Sequence, residues 1–149
     1  MDKYRLLFSK TGRAVYISHL DLMRTLTRAF LRAECRLKYS EGFNPHPQIS
    51  IALPLSVGAE SICEIMDFKL LEDRQPQDIL VALSKQLPEG IEAIEVYSSE
   101  RKVKELKWIK ISGVFEYDER SAEEMSASFT HRIASSSPKR PSAAWVRAI

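Results

Sequence analysis

Residues 39–50, YSEGFNPHPQIS, place an aromatic ring, an amide and an imidazole between two strand-like runs. Asn44 precedes Pro45 and His46 precedes Pro47, so both are pushed towards extended backbone, and the prolines bring no amide donor of their own. Gly42 permits a turn with positive φ just before them, which would hold Phe43, Asn44 and His46 outward on a stiff platform. Such a set can stack on an unpaired base and hydrogen-bond it. The competing expectation is a core plug, in which Phe43 fills the interior and the prolines only turn the chain.

A second group is basic. Arg24, Arg28 and Arg32 recur every four residues and would line a ridge about 12 Å long on one side of a helix. Arg36 and Lys38 prolong it. No acidic residue stands three or four positions after Arg24 or Arg28, so the ridge is expected to offer cations to a phosphate backbone. The plainer expectation is a solvated helix face.

Ser18, His19 and Asp21 form the third group, at the start of that helix. A helix amino terminus disfavours imidazolium, so His19 is expected half-buried and neutral, with one hydrogen bond, either closing the helix start or touching a ligand. Catalytic templates are missing: the sequence has no GxGxxG, P-loop, HExxH or CxxxCxxC pattern. Ser18 and His19 are neighbours on a helix and cannot face each other as a nucleophile and its base. His19, Asp21, His46 and a cysteine lack the local spacing of metal ligands, so no metal, cofactor or catalytic residue is assigned, and a protein that is not an enzyme by itself is expected.

The elements that must position these groups follow from periodicity. Residues 4–8 read as a strand, 10–12 as a turn and 14–17 as a second extended piece. Ser18 followed by Asp21 has capping-box spacing, and Leu22, Leu26, Ala29, Phe30 and Ala33 then mark one apolar helix face. Residues 35–39 and 48–55 are strand-like. Residues 62–71 alternate, with Met66, Phe68 and Leu70 on one side and Asp67 and Lys69 on the other. Pro76 opens a second helix with Ile79, Leu80, Leu83 and Leu87 as its stripe, stopped by 88–90 and followed by a strand at 91–97.

Two helices with one apolar stripe each can bury them together on one face of an antiparallel sheet, so the expected fold class is α+β, ferredoxin-like. The expected organisation is a ferredoxin-like domain at 1–105, an incomplete second βα unit at 106–134 and a flexible tail at 135–149.

The 149 residues are 44% hydrophobic and 28% charged, enough for one core and unlike a disordered chain. No apolar run approaches a membrane span and no secretory signal opens the chain, so a cytoplasmic protein with no membrane partner is expected. Cys35 and Cys63 stand apart and read as reduced thiols. The net charge of +2 conceals a segregation. Residues 1–50 carry 9 basic and 4 acidic side chains, 51–100 carry 3 and 10, and 101–149 carry 10 and 6. The first third can attract phosphates that the middle would repel.

The runs FSKTGRAVYISHLDLMRTLTRA and LKYSEGFNPHPQISIALPLSVGAES resemble an uncharacterised domain associated with, or fused to, cobalamin-binding-type radical S-adenosylmethionine (radical SAM) proteins. The resemblance covers residues 3–97 and extends towards 117. It implies an accessory domain whose partner is a radical SAM protein, with no activity to carry over. It also implies a second basic lobe, from which the end FTHRIASSSPKRPSAAWVRAI departs. The expected function is binding of structured RNA, not DNA, through Arg24, Arg28, Arg32, Arg36, Lys38, Phe43, Asn44 and His46. The alternative is a protein-interaction subunit that docks on the radical SAM enzyme through Leu20 and Leu31, without nucleic acid.

Overall fold

The computed structural model describes residues 3–101 and 103. The expected second unit and tail lie outside the described residues. In chain order the elements are β1 (Lys3–Lys10), a 3₁₀ helix (Gly12–Tyr16), α1 (His19–Arg32), β2 (Ile49–Ile51), β3 (Ser61–Lys69), α2 (Pro76–Ser84) and β4 (Ile91–Ser98). The sheet has the order β2-β3-β1-β4, with every neighbouring pair antiparallel. Each helix therefore links two strands that skip one neighbour, which is the ferredoxin-like α+β arrangement.

Alternation decides which face the helices cover. Tyr4, Leu6 and Phe8 of β1 are buried, and in register with them Phe68 and Met66 of β3 and Val96 of β4 point the same way. Leu22, Leu26, Ala29 and Phe30 of α1, with Ile79 and Leu83 of α2, complete one continuous core on that face. The Phe68 ring joins the layers. Its centroid lies 4.7 Å from that of Phe30 and 5.6 Å from that of Tyr4. Ser18 caps α1, its Oγ accepting from the Asp21 amide at 3.1 Å, and Pro76 sits in the first turn of α2. Among the described residues no helix is long and apolar enough to cross a membrane.

Three local expectations change. Residues 14–16 are not extended, and only Ile17 is: Gly12 takes φ +57°, Ala14 N donates to Thr11 O at 3.1 Å, and Ile17 N to Ala14 O at 3.2 Å. The resulting 3₁₀ turn buries Ala14 and Val15, a tertiary reward that the β-branched Val15 conceals in the sequence. The strand at 48–55 shortens to Ile49–Ile51, and 35–39 contributes only the isolated bridges Leu37↔Leu70 and Tyr39↔Pro47.

The two ends of the sheet differ. At the Lys10 end, the alternation that buries Tyr4, Leu6 and Phe8 carries Lys10 to the same face, where it is 1% exposed, its Nζ donating to Val15 O at 3.3 Å. Burial lowers this ammonium's pKa, an effect opposed by the nearby Glu64. The Lys3 end carries the 39–50 loop.

Candidate functional site

The loop grows out of the sheet edge. Lys38 N donates to Lys69 O at 2.8 Å and Gln48 N to Lys38 O at 2.7 Å, so the chain enters and leaves the loop beside the end of β3. Ser40 then closes it. Its amide donates to His46 O at 2.8 Å, its Oγ accepts from His46 N at 3.1 Å, and the same Oγ lies 2.9 Å from His46 Nδ1. Gln48 Nε2 adds a bond to Tyr39 O at 3.3 Å. Gly42 takes φ +122°, as its place before the rigid run required. Phe43, Asn44 and His46 are exposed, Phe43 completely. The core-plug expectation is thereby excluded.

His46 borders a cleft of about 550 Å³ whose walls include Lys3, Gln48, Ser50, Asp67 and Lys69. Lys3 and Asp67 of this wall form a charged triad with Arg5 on the sheet face that the helices leave uncovered. Asp67 is 5% and Arg5 8% exposed. Arg5 grips the carboxylate through Nε at 2.7 Å and Nη2 at 3.2 Å, Lys3 Nζ reaches it at 2.6 Å, and Arg5 Nη2 also donates to Arg101 O at 2.9 Å. Burial by itself would raise the Asp67 pKa, but the hydrogen bonds and charges of Arg5 and Lys3 prevail and hold it below the ordinary carboxylate range. The Asp67 hydrogen bond raises the Arg5 pKa in turn.

The arginine ridge of α1 is exposed, yet its members differ. Arg24 has an acidic partner after all, Asp21 Oδ1 at 3.1 Å, which stands three residues before it and not after. Arg32 Nη2 donates to Gln86 O at 2.7 Å, and Arg36 approaches Glu72 at 3.9 Å. Arg28 has no ion-pair or hydrogen-bond partner among the described residues. A second cleft, of about 740 Å³, opens where α1 ends, lined by Leu31, Arg36, Tyr39, Leu71, Glu72 and Arg74.

Ser18, His19 and Asp21 stand apart from the loop. They follow the Lys10 end of β1, whereas the loop adjoins Lys69, which pairs with Lys3. Eight strand residues separate the two ends, about 25 Å. The α1 start that holds His19 and the loop that holds His46 therefore stand at opposite ends of the sheet, because α1 runs back along it before the loop begins. His19 is half-buried as expected, but its Nδ1 is buried without a hydrogen-bond partner. Among the described residues no three His, Cys, Asp or Glu side chains gather where a metal ion could be held.

The sequence reading missed Ser40, and it missed the Lys3, Arg5 and Asp67 triad. Ser40 carried a usable signal, since it and His46 sit symmetrically just inside the paired Tyr39 and Pro47. The triad carried none, as Arg5 and Asp67 are 62 positions apart.

The class defined by these features is a ferredoxin-like α+β domain with a braced, outward-facing loop at one sheet end. The chain belongs to a bacterial family described as uncharacterized protein conserved in bacteria (DUF2344), whose profile matches residues 3–142. No curated protein matches it.

Proposed function

We propose that this chain is a non-catalytic RNA-binding module, working in the cytoplasm, that takes structured RNA on the exposed face of α1 and the 39–50 loop. The observation that carries the reading is Phe43, fully exposed at the tip of a loop that Ser40 and His46 lock. Aromatic surface held in water on a stiff support suits a ring that will stack, and one stacked base contributes about 1–3 kcal/mol. Arg28, Arg32 and Arg36 descend α1 and its exit towards the same sheet end, so phosphate contacts would lead to the stacking residue. Asn44, His46 and Lys38 would then meet the nucleotide, while Arg24 would have to leave Asp21. On the resemblance stated above, the partner receiving this RNA is a radical SAM protein.

Salt-titrated anisotropy with a stem-loop RNA tests the proposal. The triple variant Arg28→Ala, Arg32→Ala, Arg36→Ala should weaken binding and flatten the salt dependence by about two to three units of log–log slope. Phe43→Ala should cost about five- to a hundredfold in affinity at every salt concentration. A wild-type protein with no RNA affinity at about 50 mM salt sinks the proposal.

One observation favours a second reading. Leu31, Tyr39 and Leu71 are exposed apolar groups around the second cleft and suit a protein surface. Retention of a radical SAM partner that Leu31→Asp abolishes and the triple arginine variant leaves intact would select docking over RNA.

A further inference from the structure

Ser40 does more than close the loop, because it occupies three of the four polar atoms of His46. His46 N donates to Ser40 Oγ, His46 O accepts from Ser40 N, and Nδ1 lies 2.9 Å from Ser40 Oγ. The Asn44 carbonyl oxygen approaches the same Nδ1 at 3.4 Å. A carbonyl oxygen can only accept, so that approach is favourable only when Nδ1 carries the proton. Ser40 Oγ has two lone pairs and can accept from His46 N and from Nδ1 together, leaving its own hydrogen for solvent. Pro45 and Pro47 have no amide hydrogen to disturb the pattern.

The geometry points to Ser40 as a positioning residue that fixes neutral His46 with the proton on Nδ1, so that an unprotonated Nε2 faces the outside as a hydrogen-bond acceptor. Its complement is a neutral donor on the RNA, either a ribose 2′-hydroxyl or an exocyclic amino group of a base, and this occupant rests on the RNA-binding reading. Lys69 lines the cleft that His46 borders and would hold the adjoining phosphate, while Asp67 there is already neutralised by Lys3 and Arg5. Fixing the tautomer through one ring nitrogen decides what the other can recognise.

Imidazole ¹⁵N NMR at about pH 8 reads the tautomer directly. The wild type should show a protonated Nδ1 and a bare Nε2, and Ser40→Ala a mixture of tautomers. In parallel, a stem-loop RNA is compared with the same RNA carrying 2′-deoxy loop nucleotides, and with one whose loop purines lack the amino group. Ser40→Ala and His46→Ala should each weaken binding of the unmodified RNA by about three- to tenfold, with the double variant no weaker. A penalty for the deoxy loop that vanishes in His46→Ala assigns the 2′-hydroxyl, and a penalty for the missing amino group that vanishes likewise assigns the base. A wild type that binds RNA with Nε2 protonated, or with neither penalty, overturns the inference alone. A wild type without RNA affinity overturns the RNA-binding reading and removes the occupant with it.

Discussion

The uncovered face of the sheet and the outer face of α1 both carry arginine, but the two faces hold their charge differently. Arg5 is bound through two nitrogens to a buried carboxylate that Lys3 also contacts, and its Nη2 also donates to the Arg101 carbonyl. Arg24 makes a single bond to Asp21, with side chains 68% and 57% exposed. Water and salt screen the second pair and hardly reach the first. The number of arginines is therefore a poor guide to a binding surface. What matters is whether each one has a desolvated partner that a phosphate would have to displace.

The largest effect expected from this contrast is at Asp67. Asp67→Ala leaves the Arg5 guanidinium buried beside Lys3 with no carboxylate, and such a broken buried pair costs about 3–5 kcal/mol. Urea unfolding measures it, with Arg24→Ala as the control that should stay close to the wild type. A loss at Asp67 no larger than that of the control would erase the distinction between the faces.

Acid should produce a smaller loss by the same route. The folded-state pKa of Asp67 lies below its unfolded value, so its contribution is fully present above the unfolded range near pH 3.9. It is lost as the pH falls from there through the lower folded value. Unfolding followed from about pH 6 to pH 2 should therefore decline more steeply in the wild type than in Asp67→Ala. Parallel curves would mean that other carboxylates carry the acid sensitivity.

How much of this was legible in the sequence depends on the range of the interaction. The capped helix at Ser18, the apolar stripe from Leu22 to Ala33 and the alternation of Met66, Phe68 and Leu70 are local patterns, and each appears in the fold. The alternation also put Asp67 on the opposite side correctly, but nothing local shows that Arg5 and Lys3 bury it there. Gly42 announced the turn that exposes Phe43, whereas exposure itself depended on how the loop meets β3. Asp21 is legible as a cap residue, and its second role lies on the amino-terminal side of Arg24, opposite to the positions where a neutralising residue is expected.

The finest test of the comparison is Asp21→Asn. Ser18 Oγ accepts from the Asp21 amide at 3.1 Å and donates to its carboxylate at 2.8 Å. The first bond is unaffected by the substitution, and an asparagine carbonyl can still accept the second. The favourable interaction of the negative charge with the α1 terminus is lost, so the melting temperature should fall slightly. The hydrogen bonds from Ser18 and Arg24 hold this carboxyl below its ordinary pKa, so it is charged at neutral pH and restrains Arg24 there. Releasing Arg24 should therefore raise affinity for the stem-loop RNA by about two- to threefold at low salt, with a steeper salt dependence. A large loss of stability would show that this surface pair is structural, like the pair on the sheet. Unchanged affinity with an intact fold would place Arg24 outside the path of the phosphates and confine the RNA surface to Arg28, Arg32, Arg36 and the loop.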